Sequence, residues 1–295
     1  MNSVTSYSGV IIATVLRSRA SGIPHIVAPA FEAASRFNAL GRALALEGLD
    51  QYRNTSFCAL SEGHGVFCWG AVTRGIGGGI EMREVHFPAS VALLSVSELE
   101  ACVVTTNGQV LCANAPVFGD GRVWQVFDRG GWTDVAVHWD TVCAIDQAGR
   151  VFCRTGVHTS GAAAGPVFEI PVRAPAVKLG NQCAILVDGT LECWTCPDQL
   201  RPEACRVDEI AAPGAVGAVG TSDNFACMML VDGRVFCWGS NNFGQLGIGT
   251  MGAPRVTPQE VVRVQEATHI TVSLDNACAL TRSGAAFCWE KNTYG

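Results

Sequence analysis

The stretch CMMLVDGRVFCWGSNNFGQLG, residues 227–247, sets two cysteines ten positions apart on either side of Asp232-Gly233. The same spacing recurs along the chain. Cys58 and Cys68, Cys102 and Cys112, Cys143 and Cys153, Cys183 and Cys193, Cys227 and Cys237, and Cys278 and Cys288 form six such pairs, whose first members follow at intervals of 44, 41, 40, 44 and 51 residues. A period of about 40 to 50 residues marks a repeat architecture, in which each unit stacks on a neighbour to bury an apolar face it cannot bury alone.

Between the cysteines the units read as two short strands around a turn: CVVTTNGQVLC, CAIDQAGRVFC, CAILVDGTLEC, CMMLVDGRVFC and CALTRSGAAFC. Gly108, Gly149, Gly189, Gly233 and Gly284 each stand six positions after the first cysteine. In a three-residue hairpin loop a type I turn is followed by a residue with positive φ, which glycine adopts without steric cost. Counting outward from Val231-Asp232-Gly233 pairs 230 with 234 and finally 227 with 237, so the two cysteines face each other. Opposed residues on antiparallel strands have Cα atoms about 4.5 to 5.5 Å apart, within reach of a disulfide. The spacing therefore predicts one cross-strand bridge per unit. The first unit, CALSEGHGVFC, has His64 at the turn position between Gly63 and Gly65, and a different turn is expected there.

Short runs rich in Val, Ile and Ala precede each hairpin: 91–96, 134–139, 176–180, 214–220 and 269–274. Each predicts a strand, and PQEVVRV (258–264) supplies a candidate fourth. Four short strands per unit, repeated radially, are the blade of a β-propeller. The expected fold is all-β, a propeller of six or seven four-stranded blades over residues 41–295, with 1–40 a separate segment that could enter a closing blade. Strand candidates near the N-terminus are GVIIATVL (9–16) and RALALEG (42–48), although the alanine-rich run 30–48 reads equally as a helix.

At residues 227–249 the chain resembles the regulator of chromosome condensation repeat, in its cysteine-paired, bacterial type: a C-A-L strand, a D-G turn, V-x-C-W-G, then N-x-x-G-Q-L-G. The resemblance runs from Phe57 to Gly295 with varying quality. Trp69-Gly70 and Trp238-Gly239 keep the W-G pair, Trp194 and Trp289 keep the tryptophan, and Gly244-Gln245-Leu246-Gly247 is the intact G-Q-L-G. The family forms a propeller, commonly of seven blades, and its founding member is an exchange factor for a small GTPase that also docks on chromatin. The sequence stops at NTYG (292–295) where the repeat would continue, so a C-terminally incomplete propeller is expected.

Charged residues make up 16% of the 295, against roughly 25% in ordinary soluble domains, and the net charge is −6 without a Lys/Arg cluster. That balance gives no electrostatic footprint for nucleic acid or an anionic membrane. No apolar run reaches the 18 or so residues of a membrane span. The stretch at 9–16 has no preceding Lys or Arg and is followed by RSRA, which favours a buried strand over an export signal.

Two of the 14 cysteines remain, Cys196 and Cys205, on either side of an inserted loop. Cys193-x-x-Cys196 is the single C-x-x-C, and zinc knuckles come in pairs, so a seventh disulfide is the preferred reading over a metal or redox site. Each ten-residue closure contributes about 2.5 to 3 kcal/mol by chain entropy, which is reason enough for the bridges. Disulfides in number point to an oxidising compartment: extracellular, periplasmic or cell surface, with the cytoplasm as the alternative.

No nucleophile elbow, HExxH or phosphate loop is present, and GIGGG (75–79) reads as a plain loop. His64, His138 and His269 are scattered, and the carboxylate pairs Glu98/Glu100 and Asp208/Glu209 are expected on solvated loops. Trp69, Trp194, Trp238 and Trp289 recur with the repeat and are read as packing between blades. The expectation is a non-enzymatic binding scaffold without catalytic residues, metal or cofactor, for an unidentified protein or glycan. Its candidate contact loops are 72–87, 195–205 and 239–255. The alternative, from the resemblance, is a regulator of a small GTPase.

Overall fold

The computed structural model describes residues 25–26, 43–51, 54–61, 63–70, 83–97, 100–114, 123–138, 141–156, 165–196, 205–272 and 276–290. These form six four-stranded antiparallel sheets. Strand β1 (His25–Ile26) belongs to the last of them. The first sheet holds β2 (Ala43–Gln51), β3 (Asn54–Ser61), β4 (Val66–Gly70) and β5 (Arg83–Val85); the second β6 (Val91–Val96), β7 (Glu100–Thr105), β8 (Val110–Asn114) and β9 (Val123–Gln125). The third holds β10 (Trp132–His138), β11 (Thr141–Asp146), β12 (Val151–Arg154) and β13 (Val167–Ile170); the fourth β14 (Ala176–Gly180), β15 (Cys183–Leu186), β16 (Leu191–Thr195) and β17 (Arg206–Ile210). The fifth holds β18 (Val216–Thr221), β19 (Phe225–Leu230), β20 (Val235–Asn241) and β21 (Gly252–Glu260). In the sixth, β22 (Ala267–Val272), β23 (Asn276–Thr281) and β24 (Ala286–Glu290) are completed by β1, which pairs His25 with Cys288 and Ile26 with Phe287. The fold class is an all-β propeller of six blades.

The chain divides into two compact units, one of Ala43–Val187 with Glu192–Glu209, the other holding Ile210–Gly295. The N-terminal stretch does not build a seventh blade among the described residues. RALALEG lies within and just before β2, where part of a helix was equally expected, and 9–16 falls outside the described residues. The fourth strand of the fifth sheet is β21, which starts upstream of the expected 258–264 and includes only its first three residues, 258–260.

The middle hairpins carry the ladder that the cysteine spacing requires. Cys102 opposes Cys112, Cys143 opposes Cys153, and Cys227 opposes Cys237. Thr105 N–H donates to Gln109 O at the turn, so alternate counting puts Cys102–Cys112 on a non-hydrogen-bonded pair, where side chains approach closest. All 14 cysteines are joined, six pairs ten apart and Cys196–Cys205 nine apart, with Cα–Cα distances of 4.0 to 4.1 Å.

Strands β7 and β19 are buried at every position, which explains why they read as continuous apolar runs. The second and third sheets are covered on both faces. In the third, Val135, Val137, Val142 and Ala144 pack toward the second sheet, while Ala136, Cys143, Ile145, Val151 and Cys153 pack toward the fourth. Within each unit the core is thus a series of layers between blades, and the bridges Cys58–Cys68, Cys102–Cys112, Cys143–Cys153 and Cys227–Cys237 lie in these layers. Every first strand also slips its register after the first pair, bulging at position 44 and at Ala92, Thr133, Val177, Gly217 and Thr268. At two of these bulges the hydroxyl ties the extra residue down: Thr133 donates to Ile145 O and Thr268 to Leu280 O, both at 3.2 Å.

Candidate interaction surfaces

The hairpin turns are built alike. Gly108, Gly149, Gly189, Gly233 and Gly284 have φ between 77° and 87°. His64 takes the same place with φ 63°, and its turn has the same bonds, Ser61 N to Gly65 O and His64 N to Ser61 O at 2.9 Å. The expectation of a different turn is corrected: histidine accepts the left-handed conformation because its Nδ1–H donates to Val91 O at 2.7 Å. The carbonyl at this position also links neighbouring blades. Gly108 O accepts from Trp132 N, Gly149 O from Ala176 N, and Gly233 O from Ala267 N, at 2.8 to 3.0 Å.

Two arginines three residues before a first strand reach the next layer by different chemistry. Arg129 lies over the rings of Trp132 (4.8 Å) and Phe152 (4.6 Å). Arg173, at the equivalent place one blade on, instead bonds Glu192 through Nε (3.1 Å) and its backbone N–H (3.1 Å). Phe152 and Glu192 both stand one residue before the second cysteine, so the loop arginine follows whatever side chain occupies that position. Asp146 completes the first cluster. Its Oδ1 accepts Ala148 N and Arg150 N, and its Oδ2 accepts Arg150 Nη2 (2.7 Å), Arg150 Nε (3.0 Å) and Arg129 Nη2 (3.3 Å). Burial pushes this carboxyl up, but the bonds from Arg150 and Ala148 outweigh it and hold the group below the usual carboxylate value.

Asp134 in β10 has the opposite balance. Burial raises its carboxyl despite hydrogen bonds from Leu179 N (2.7 Å) and Val135 N and the charge of Lys178. The Leu179 contact ties β10 to β14, as Ser95 Oγ ties β6 to Val137 N at 3.1 Å.

Of the expected contact loops, 72–82 and 197–204 fall outside the described residues. The third, 239–255, is largely ordered by its own sequence: Asn241 Oδ1 accepts Leu246 N, its Nδ2 donates to Thr250 O, and Gln245 Oε1 accepts Phe243 N. Gln245 and Leu246 are buried, and the indole of Trp289 rests against Gly247. The G-Q-L-G segment is therefore a packing element, and the exposed large apolar side chains of 239–255 are Phe243 and Met251, beside exposed Asn242, Thr250, Pro254 and Arg255. Trp194 and Trp289 are buried between sheets, Trp238 is half-buried, and the Trp69 side chain is outside the description.

Glu100 departs from its expected solvated loop: it opens β7 and is fully buried. Asp208 and Glu209 lie in β17, with exposed side chains. Glu100, Cys102 and Cys112 come within metal-ligand distance of one another, but the two sulfurs are bonded to each other and offer no thiolate, so the set does not fit a metal. His138 ends β10 half-buried, and His269 is exposed in β22, its Nδ1 3.2 Å from Thr268 Oγ1. The Arg129–Asp146–Phe152 cluster was not foreseen. Its parts come from three chain segments, and the spacing Asp146-x-x-x-Arg150 was the one local signal.

Residues 232–280 match the family model of the regulator of chromosome condensation (RCC1) repeat, and 218–245 match a second model of that repeat. Residues 218–280 are thus similar to the RCC1 repeat, within a propeller of six disulfide-bridged sheets. Over 64 residues, 21% of this chain, it is 40% identical to the probable E3 ubiquitin-protein ligase HERC4 of Homo sapiens, and over 65 residues 37% identical to HERC6, also of Homo sapiens. Each match spans 6% of the ligase. Among solved structures, Prp20p from Saccharomyces cerevisiae superposes with TM-score 0.64 at 16% identity, over 84% of this chain and 72% of that one. Human WBSCR16 gives 0.63 at 17%, over 83% and 76%. The ectodomain of the Physcomitrella patens receptor kinase CR4 gives 0.51 at 16%, over 85% and 64%. At these identities the likeness is one of fold.

Proposed function

We propose that this chain is a non-enzymatic interaction scaffold working outside the cytosol, presenting its loops to a protein or glycan partner without a cofactor. The observation that carries the reading is that all 14 cysteines are consumed in seven disulfides, one in each of the six blades and a second in the fourth. Cytosolic glutathione keeps most such pairs reduced, whereas an exported scaffold gains a fixed frame for variable loops. The similar fold of a receptor-kinase ectodomain supports the same setting.

The test is a free-thiol count on denatured protein recovered from its native compartment, followed by cross-linking capture from the surrounding fluid. Near-zero free thiols and a saturable partner are the expected result; near 14 would overturn it. A second reading, regulation of a small GTPase, draws on the likeness to Prp20p, whose structure was described with its binding to Gsp1p and histones. Accelerated nucleotide release from a GTPase panel would favour that reading.

A further inference from the structure

Two guanidinium groups converge on one carboxylate oxygen at the third blade. Arg129 and Arg150 both touch Asp146 Oδ2, both lie over the Phe152 ring (4.6 and 5.2 Å), and their side chains are 50% and 51% exposed. The charge balance here differs from the other described ion pairs. Arg173 meets two carboxylates, Glu192 and Glu209, while Arg206 meets Asp208 and Arg234 meets Asp232. At Asp146 one positive charge is left over.

Both arginines are also held in place. Arg129 is fixed by the Trp132 and Phe152 rings, and Arg150 by its two bonds to Asp146. Because both touch one oxygen, their Nη2 atoms lie within about 6 Å of each other, a span that a single further carboxylate bridges. A planar guanidinium presents paired donors to such a group, and a flanking aromatic ring limits its hydration. Asp128, next in the chain, is exposed and has no described bond to either arginine.

We propose that Arg129 and Arg150 form a docking point for a carboxylate side chain in an acidic segment of a partner protein. This rests on the scaffold reading and names the chemistry of its partner. In a chain of net charge −6 the contact is local, and it weakens with salt.

The test titrates the whole protein into a labelled, end-capped hexaglutamate peptide at low salt, read by fluorescence anisotropy, with thermal melts to confirm folding. Arg129→Gln and Arg150→Gln are each expected to weaken binding about tenfold, and Arg129→Lys to lose most of that affinity, because the planar fork is gone. Asp146→Asn is expected to tighten binding severalfold, because the competing internal carboxylate is removed. A purely structural cluster would move all four variants the same way. The proposal is overturned if Asp146→Asn weakens binding, if the arginine variants bind like wild type, or if inorganic phosphate or acetate competes as well as the peptide, which would mean an adventitious ion only. Partner capture with wild type and with the double Gln variant separates the two readings. Equal capture by both overturns the docking point alone, whereas no capture by wild type overturns the scaffold and leaves the docking point to the titration.

Discussion

Gly149 and Pro175 are packed so closely that a β-carbon at 149 would come 2.5 Å from Pro175 Cβ and 2.9 Å from its Cα. Gly149 also has φ +79°, so an alanine there meets both a strained backbone and a blocked neighbour. Gly149→Ala is expected to lower stability by about 2–4 kcal/mol in urea titrations, by loosening the layer between the third and fourth blades.

His64 tests the same turn from the other side. It holds φ 63° by donating to Val91 O. His64→Ala keeps the strain and loses the bond, and should cost about 1–2 kcal/mol. His64→Gly loses both, and is expected to melt within a degree or two of wild type.

Glu192 has a side chain only 6% exposed and is answered by Arg173. Arg173→Ala removes the guanidinium and leaves that carboxylate the backbone N–H of residue 173, and should cost about 1–3 kcal/mol. Adding Glu192→Phe, the residue type found at the equivalent positions 152 and 236, is expected to recover most of the loss in a double-mutant cycle.

Two aspartates give opposite pH dependence. Asp146 is held below its usual value in the folded protein, so its contribution is present above the unfolded value near 3.8 and is lost as pH falls through the folded one. Asp134 is raised, so its contribution is complete below about 3.8 and is lost as pH rises through the raised value. Urea midpoints measured from pH 2 to 7 should show a shallower acid loss for Asp146→Asn. For Asp134→Asn they should show a smaller decline above pH 4.

The bridges differ in access. Cys102 and Cys112 are fully buried, while Cys196 and Cys205 are only partly so. Under graded reduction with differential alkylation, Cys196–Cys205 is expected to open first and Cys102–Cys112 among the last.

Five hairpins were legible because three constraints agree at each: cysteine spacing, turn glycine and apolar strands; at the first, His64 hid a turn of the same kind. The strands at 91–96 and 176–180 fall where the runs of Val, Leu and Ala place them. The outer strands were harder. β21 carries Pro254 and Pro258 and is largely exposed, while the buried Val261 and Val264 just beyond it drew the reading downstream. Glu100 shows the limit of polarity as a guide, because a carboxylate inside a strand buried at every position leaves no periodic trace. The arginine cluster depends on a loop, a turn and a strand meeting in space, which neither spacing nor composition records.

The most exposed apolar tips of the turns, Val187 (65%) and Val231 (74%), sit inside the loops closed by Cys183–Cys193 and Cys227–Cys237. A protease reaching either tip would cut the backbone and still leave the two pieces covalently tied, strand against strand. The bridges thereby convert damage at the turns most open to attack into nicks that the blade survives.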